Sequence, residues 1–178
     1  VVLVTGASGA GKSSLLRAVR RRGRGSVAGW IDLDAVRLPS RAVVDVMCEA
    51  MGGGEDEGSI VLALEALSRV GLGEVWTYLR TPARLSVGQR WRLRLAVGLA
   101  LARGRGTVGR PCVLAADEFA APLDRVTALV VARALRRAVD GTPGVCAVVA
   151  TSREDLGEAL GADRVVRCDF GAWEGSET

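Results

Sequence analysis

The sequence predicts an α/β domain, an open and mostly parallel sheet flanked by helices, with a helical lobe inserted between two of its strands. Short apolar runs alternate with longer helical patterns along most of the chain, which is the signature of a sheet covered by helices. One long stretch, residues 41–103, breaks that alternation and reads as helical throughout. At 178 residues and 49% hydrophobic content, the chain is long enough to bury one core of ordinary size.

The elements follow in order. Val1 to Val4 is a short buried-strand pattern, followed by a glycine-rich turn and a helix from about Ser13 to Arg22. Ser26 to Leu33 is a second strand candidate, and Cys112 to Ala116, Val145 to Ala150 and Arg164 to Cys168 are the clearest strands. Apolar residues at 128, 131, 132, 135 and 138 give one face of a helix between Asp124 and Asp140, with Arg133, Arg136 and Arg137 opposite. Within the helical stretch, breaks fall at Gly52–Gly58 and near Thr81 and Pro82. The glycine-rich stretches 52–58 and 103–109 read as surface loops, and no internal repeat is found.

Composition excludes several classes. No run of 18 or more apolar residues exists, so direct membrane insertion is not expected. The first residues, VVLVTG, lack the basic region and cleavage site of a secretory signal. The chain starts at Val1 without a methionine, which reads as a segment of a longer protein. Cys48, Cys112, Cys146 and Cys168 form no CxxC pair; they read as buried small hydrophobes in a reducing cytoplasm. Of the 24 basic residues 23 are arginine, and the net charge of +4 permits nucleic-acid or anion binding without demonstrating it. The densest cluster, Arg20, Arg21, Arg22 and Arg24, reads as a solvated helix end, where cations suit the dipole.

Gly6 to Ser13, GASGAGKS, fits G-x-x-x-x-G-K-[ST] between a strand and a helix, the setting a phosphate-binding loop requires. Gly6, Ser8, Gly9, Ala10 and Gly11 would turn backbone N–H groups around phosphates, with Ser14 behind them at the helix start. Lys12, the single lysine of the chain, would reach the β and γ oxygens, and Ser13 would ligate Mg²⁺. VLAADE, Val113 to Glu118, is a buried strand ending in two carboxylates, at the strand end where ligands of such sheets bind. There Asp117 would hold Mg²⁺ through its water shell and Glu118 would orient the attacking water; the alternative is a helix N-cap. Asp32 and Asp34 in WIDLDAV also fit the substrate acid of a small-molecule kinase, or simply close a strand.

LSVGQ, residues 85–89, resembles the LSGGQ signature of ABC-type ATPases, whose motif order also matches: GASGAGKS, a helical lobe ending in LSVGQ, VLAADE, then APLD with Asp124. The resemblance covers nearly the whole chain as a single P-loop NTPase domain with residues 41–103 as an inserted subdomain. More narrowly, LSVGQRWRLRLAVGLA, ADEFAAPLDR and VVATSREDL are similar to soluble ABC-type ATPases joined to a predicted acetyltransferase domain. The resemblance implies ATP and Mg²⁺ as ligands and a head-to-tail homodimer, in which Ser86 and Gly88 of one subunit, beside Gln89, meet the γ-phosphate held by the other. Gln89 would open a helix running to about Arg103, on which Arg90 and Arg94 share a face that reads as solvated, the alternative being contact with a partner.

The chain departs from the family at three places. Ser152 stands where the switch histidine is expected, which implies slow hydrolysis; no glutamine lies in residues 37–45; and the strands that usually precede the phosphate loop are absent. Three functions stay open: a soluble ATPase driving a partner domain, with nucleic acid among the candidate partners; the nucleotide-binding subunit of a transporter; and a non-catalytic ATP clamp.

Overall fold

The computed structural model describes residues 1–23, 25–54, 56–170 and 172–177. Arg24 of the basic cluster and Glu55 of the 52–58 stretch lie outside the described residues. A six-stranded sheet runs in the order β2-β3-β4-β1-β5-β6. Its strands are β1 (Val2–Thr5), β2 (Gly29–Asp32), β3 (Cys112–Ala116), β4 (Val145–Thr151), β5 (Arg164–Asp169) and β6 (Ala172–Glu177). All neighbours pair in parallel except β5 and β6, which are antiparallel.

Among the described residues the α-helices are α1 (Lys12–Arg22), α2 (Val43–Ala50), α3 (Glu57–Arg69), α4 (Val75–Tyr78), α5 (Val87–Arg105), α6 (Arg125–Asp140) and α7 (Gly157–Leu160). The described residues of 43–105 hold helices and no strand, and they lie between β2 and β3 in the chain. Every residue of β3 is buried, which explains why its sequence is continuously apolar rather than alternating. On α6, Ala128, Val131, Ala132 and Leu135 form the buried stripe, and Arg136 on the outer side ties Asp140 and Asp163 together. One core cluster spans sheet and helical segment, with Met47, Leu67, Leu93 and Leu114 each at 1% exposure or less.

Several details differ from the sequence reading, each for a local reason. β2 is only four residues, because Asp32 caps a following 3₁₀ turn at Leu33–Ala35. β6 has no apolar run to announce it; AWEGSE carries Gly and two Glu, residues depleted in strands, and it forms because β5 offers an open edge. Cys146 is exposed, unlike the other three cysteines. It lies near the start of β4, on the face that Val148 turns to the second core cluster, where helix cover runs out. Arg20, Arg21 and Arg22 occupy the last turn of α1 in solvent, although Arg20 also reaches Asp32 at 3.4 Å.

α5 starts at Val87, two residues before the expected opener, because Ser86 is its N-cap. Arg90 and Arg94 are not a solvated face. Arg90 donates to the carbonyl oxygens of Pro82, Ala83 and Leu85, holding the turn that precedes α5, and the Nε of Arg94 is buried without a hydrogen-bond partner.

Candidate nucleotide site

The site begins where β1 ends. Gly6 adopts φ +143°, and a Cβ there would lie 2.2 Å from the carbonyl oxygen of Cys168 on β5, so no side chain fits. Gly9 and Gly11 turn the loop through φ +82° and +97°, and Gly11 is the N-cap of α1. The loop therefore wraps the N-terminus of α1, where unpaired N–H groups and the helix dipole favour an anion. Ala10 is buried beneath the loop, Ser8 is exposed, and Ser14 accepts a hydrogen bond from Arg17 at 3.1 Å. The Ser13 hydroxyl makes no hydrogen bond among the described residues.

Lys12 is buried, at 7% exposure. Its three ammonium protons are all committed: Nζ lies 2.8 Å from the carbonyl oxygens of Gly6 and Ala7 and 2.8 Å from the Oγ of Ser152. A buried cation needs such partners, and here two come from the loop itself and one from the end of β4. Because β1 pairs directly with β4, Thr5 and Thr151 sit side by side, and the following Ser152 arrives above the loop.

β3 lies on the other side of β4, and its C-terminal end carries Asp117 and Glu118. The turn after it is sharply bent: Glu118 has φ +48° and Ala120 φ +59°, left-handed values that cost an ordinary residue about 1 to 2 kcal/mol each. The bend persists because its middle is anchored. The Phe119 N–H donates to the Ala150 carbonyl oxygen at 2.7 Å, and the buried Thr151 hydroxyl donates to the Phe119 carbonyl oxygen at 3.4 Å. The Phe119 ring is fully buried edge-on against Trp91 of α5, centroids 5.2 Å apart and planes at 77°. With Phe119 pinned inward, Glu118 is left exposed beside half-buried Asp117, whose Oδ1 accepts the Glu118 N–H at 3.1 Å.

Asp34, at the end of β2, faces the same region. Burial first, then the neighbouring charges of Asp32, Asp117 and Glu118, push its carboxyl above the ordinary value, while Arg94 pulls it down. Sequence pattern had marked WIDLDAV as a strand end with acids, yet the approach of Asp34 to Asp117 and Glu118 depends on β2 and β3 pairing across the 79 residues between them. Arg153 was not singled out at all. It follows Ser152, donates to the Leu123 carbonyl oxygen at 3.1 Å and pairs with Asp155 at 3.2 Å, fixing the β4 end against the turn before α6. Asp155 also meets Arg125 at 3.4 Å.

Ser86, Gly88 and Gln89 form a separate part. The Gln89 N–H donates to the Ser86 Oγ at 3.1 Å, and the Ser86 N–H donates to the Gln89 Oε1 at 3.0 Å, a reciprocal capping box. Gln89 thus occupies the third helical position and closes the cap. A Cβ on Gly88 would lie 3.1 Å from Leu123 and 3.5 Å from the Pro122 carbonyl oxygen, so glycine lets α5 approach the 121–124 turn. No hydrogen bond or ion pair among the described residues links Ser86, Gly88 or Gln89 to Lys12, Asp117 or Glu118. Asp124 is the N-cap of α6, accepting the Thr127 N–H at 3.0 Å, and its hydrogen bonds to Thr127 hold its carboxyl below the ordinary value.

Among the described residues no group of three or more His, Cys, Asp or Glu is arranged to hold a metal ion. The donor set near Lys12 is instead a serine hydroxyl and one or two carboxylates, which suits a cation that keeps water and phosphate oxygens in its shell, as Mg²⁺ does. No helix among the described residues is long and apolar enough to cross a membrane.

No protein-family model matches the chain, and no curated protein sequence matches it. Solved structures do resemble it in fold. A dimeric bacterial ABC transporter cassette superposes with TM-score 0.70 at 20% identity, covering 99% of this chain and 84% of that one. A putative metal-chelate type ABC transporter in an inward-facing conformation gives 0.66 at 19%, covering 100% and 73%. The cbiO1 protein from Clostridium perfringens, part of the cbiONQ ABC transporter complex, gives 0.66 at 20%, covering 99% and 76%. The resemblance to these structures spans the sheet and the helical segment alike, and the chain has the fold of an ATP-binding cassette.

Proposed function

We propose that this domain binds ATP with Mg²⁺ and hydrolyses it, acting as a head-to-tail homodimer that drives a partner domain. The observation that carries this reading is the contact between Lys12 and Ser152 at 2.8 Å, which joins the phosphate loop to the end of β4 beside Asp117 and Glu118 on β3. Gly6, Ser8, Gly9, Ala10, Gly11 and Ser14 belong to the loop and first helical turn that cradle the phosphates. Lys12 exchanges its protein acceptors for β and γ oxygens, and Ser152 stands next to the γ-phosphate. Ser13 and Asp117 would hold Mg²⁺, whose charge would offset that of the phosphates. Glu118, exposed on its bent turn, aligns and deprotonates the attacking water.

The second subunit supplies what the first lacks. Ser86 has accepted a bond from Gln89 but keeps its own proton to donate, and Gly88 lies in the first turn of α5 with its N–H unpaired by the helix. Ser86 is exposed and Gly88 half-buried beside it, and both suit a γ-phosphate held by the partner subunit; Asp124 and Gln89 position the loops around them. Residues 41–103 act as a helical subdomain carrying this half-site. A reducing cytoplasmic setting fits four cysteines that form no disulfide among the described residues.

The partner domain is an acetyltransferase-like domain, as the sequence resemblance implies; a nucleic acid or a transporter remains the alternative destination of the ATP energy. A second reading, a clamp that holds ATP without turning it over, is favoured by Ser152, because a serine hydroxyl is a weaker proton carrier than an imidazole. Phosphate release with and without Mg²⁺ separates the two readings. For the site itself, Lys12→Ala is expected to abolish ATP binding in calorimetry; unchanged affinity overturns the assignment of the loop.

A further inference from the structure

We infer that the groove between α5 and α6, at the opposite end of the sheet from the phosphate loop, is a docking site for an acidic amphipathic segment of a partner protein. The groove encloses about 990 Å³ and opens to solvent along the C-terminal halves of both helices. Val145, the first residue of β4, lies at its floor; because β4 runs parallel to β1, this is the edge of the sheet farthest from Lys12.

The cavity has a sequence cause. Ala96 and Ala100 lie one turn apart on α5, and Ala134 and Ala138 one turn apart on α6, so each helix presents two methyl groups on one side. Larger residues there would fill the space that these four leave open. The third wall comes from the helical segment, where Leu62 of α3 stays 53% exposed and Ala66 and Val70 continue the apolar lining. A hollow of this size, apolar and half-open, matches the groove that takes the apolar face of a helix.

Charge selects the kind of occupant. Arg69, Arg103, Arg105 and Arg137 stand around the groove, against one carboxylate, Glu49, which Arg41 already pairs. Arg69 is paired with Glu65, whereas Arg103, Arg105 and Arg137 have no hydrogen bond or ion pair among the described residues. They sit on the C-terminal turns of α5 and α6, where the helix dipoles hold them favourably without neutralising them. A segment with leucine-like side chains on one face and carboxylates at one end satisfies both the apolar floor and the three unpaired guanidinium groups. The groove owes nothing to nucleotide, so this inference stands independently of the ATPase reading.

The test uses two synthetic helical peptides of about 14 residues, each with leucines at i, i+3, i+4 and i+7. One carries glutamates at its C-terminal end and the other lysines. Fluorescence anisotropy on the whole chain is expected to show saturable binding of the glutamate peptide and at least tenfold weaker binding of the lysine peptide. The double variant R103E/R137E, altered only at exposed side chains, is expected to reverse that preference. Ala100→Trp, which fills the groove, is expected to lose both peptides while its circular dichroism is kept. Equal binding of the two peptides, no binding of either, or no reversal in R103E/R137E overturns the inference. So does a chain that self-associates through the groove and is dispersed by Ala100→Trp, since the occupant is then a second copy.

Discussion

Replacing Gly6 by alanine tests the fold and the candidate site together. The residue holds φ +143°, a conformation that an L side chain reaches only at a cost of about 1 to 3 kcal/mol. The new Cβ would meet the Cys168 carbonyl oxygen at 2.2 Å and its carbonyl carbon at 3.2 Å. Both are backbone atoms of β5, which is held between β1 and β6, so no rotamer change relieves the contact. The β1 end must instead move by about 1 Å, and it carries the two carbonyl groups that anchor Lys12. Strain and displacement together are expected to lower stability by about 3 kcal/mol, or roughly 6 to 12 °C in Tm for a domain of this size. ATP affinity is expected to fall at least about tenfold, equivalent to ~1.4 kcal/mol. Gly9→Ala is the internal control, since its Cβ would meet nothing within 4 Å and only the φ cost of about 1 kcal/mol applies to stability. Urea unfolding and calorimetry on the two variants give the answer. Gly6→Ala and Gly9→Ala unfolding at the same urea concentration, with ATP affinity kept in Gly6→Ala, would refute the reasoning.

Further expectations concern Glu118, the helix cap and acid stability. Glu118→Gln should bind ATP, release phosphate at least tenfold more slowly and accumulate as a dimer in size-exclusion chromatography with ATP; full turnover removes Glu118 from its role. Ser86→Ala should cost about 1 kcal/mol by loss of the α5 cap and should slow turnover without changing ATP affinity in the monomer, as urea unfolding and phosphate release will read. Arg136 holds the Asp140 carboxyl, and Arg153 holds the Asp155 carboxyl, below the ordinary value near 3.8. Their folded-state pKa values are depressed, so the stabilisation is present above the unfolded value and is lost as pH falls below it. Asp140→Asn should therefore weaken the fold at pH 6 and matter less near pH 2, which thermal melts across pH will show.

The site divides into parts that sequence reveals and parts that only pairing reveals. GASGAGKS is local: the glycines that the turn needs and the lysine proposed to meet the phosphates lie within one loop, so a single window of sequence holds them all. β3 announced itself because burial on both faces demands continuous apolar residues. By contrast, β6 is recruited by the open edge of β5 and carries little signal of its own. Arg90 looked like a surface charge because periodicity does not show that its guanidinium would satisfy three carbonyl groups of the preceding turn. The place of Gln89 was misjudged by two residues for a similar reason, since Ser and Gln three apart are a capping box only once their backbone folds that way. Asp34 and Arg153 gain their positions from strand pairing and from contacts across 30 or more residues, which no window of sequence contains.

The edge-on packing of Trp91 against Phe119 has a consequence for how two subunits would communicate. Trp91 rides on the helix whose cap is Ser86, and Phe119 is the neighbour of Glu118. In the proposed head-to-tail dimer those two ends would serve opposite nucleotides, Glu118 the subunit's own ATP and Ser86 that of its partner. The aromatic pair is then a strut inside each protomer that spans from one nucleotide to the other. A shift of the turn bearing Phe119 on occupancy of the first site would be carried by the strut to the cap that the second site must receive. Two such struts related by the dimer axis would make ATP binding cooperative, with a Hill coefficient above one, and would do so without any residue touching both nucleotides.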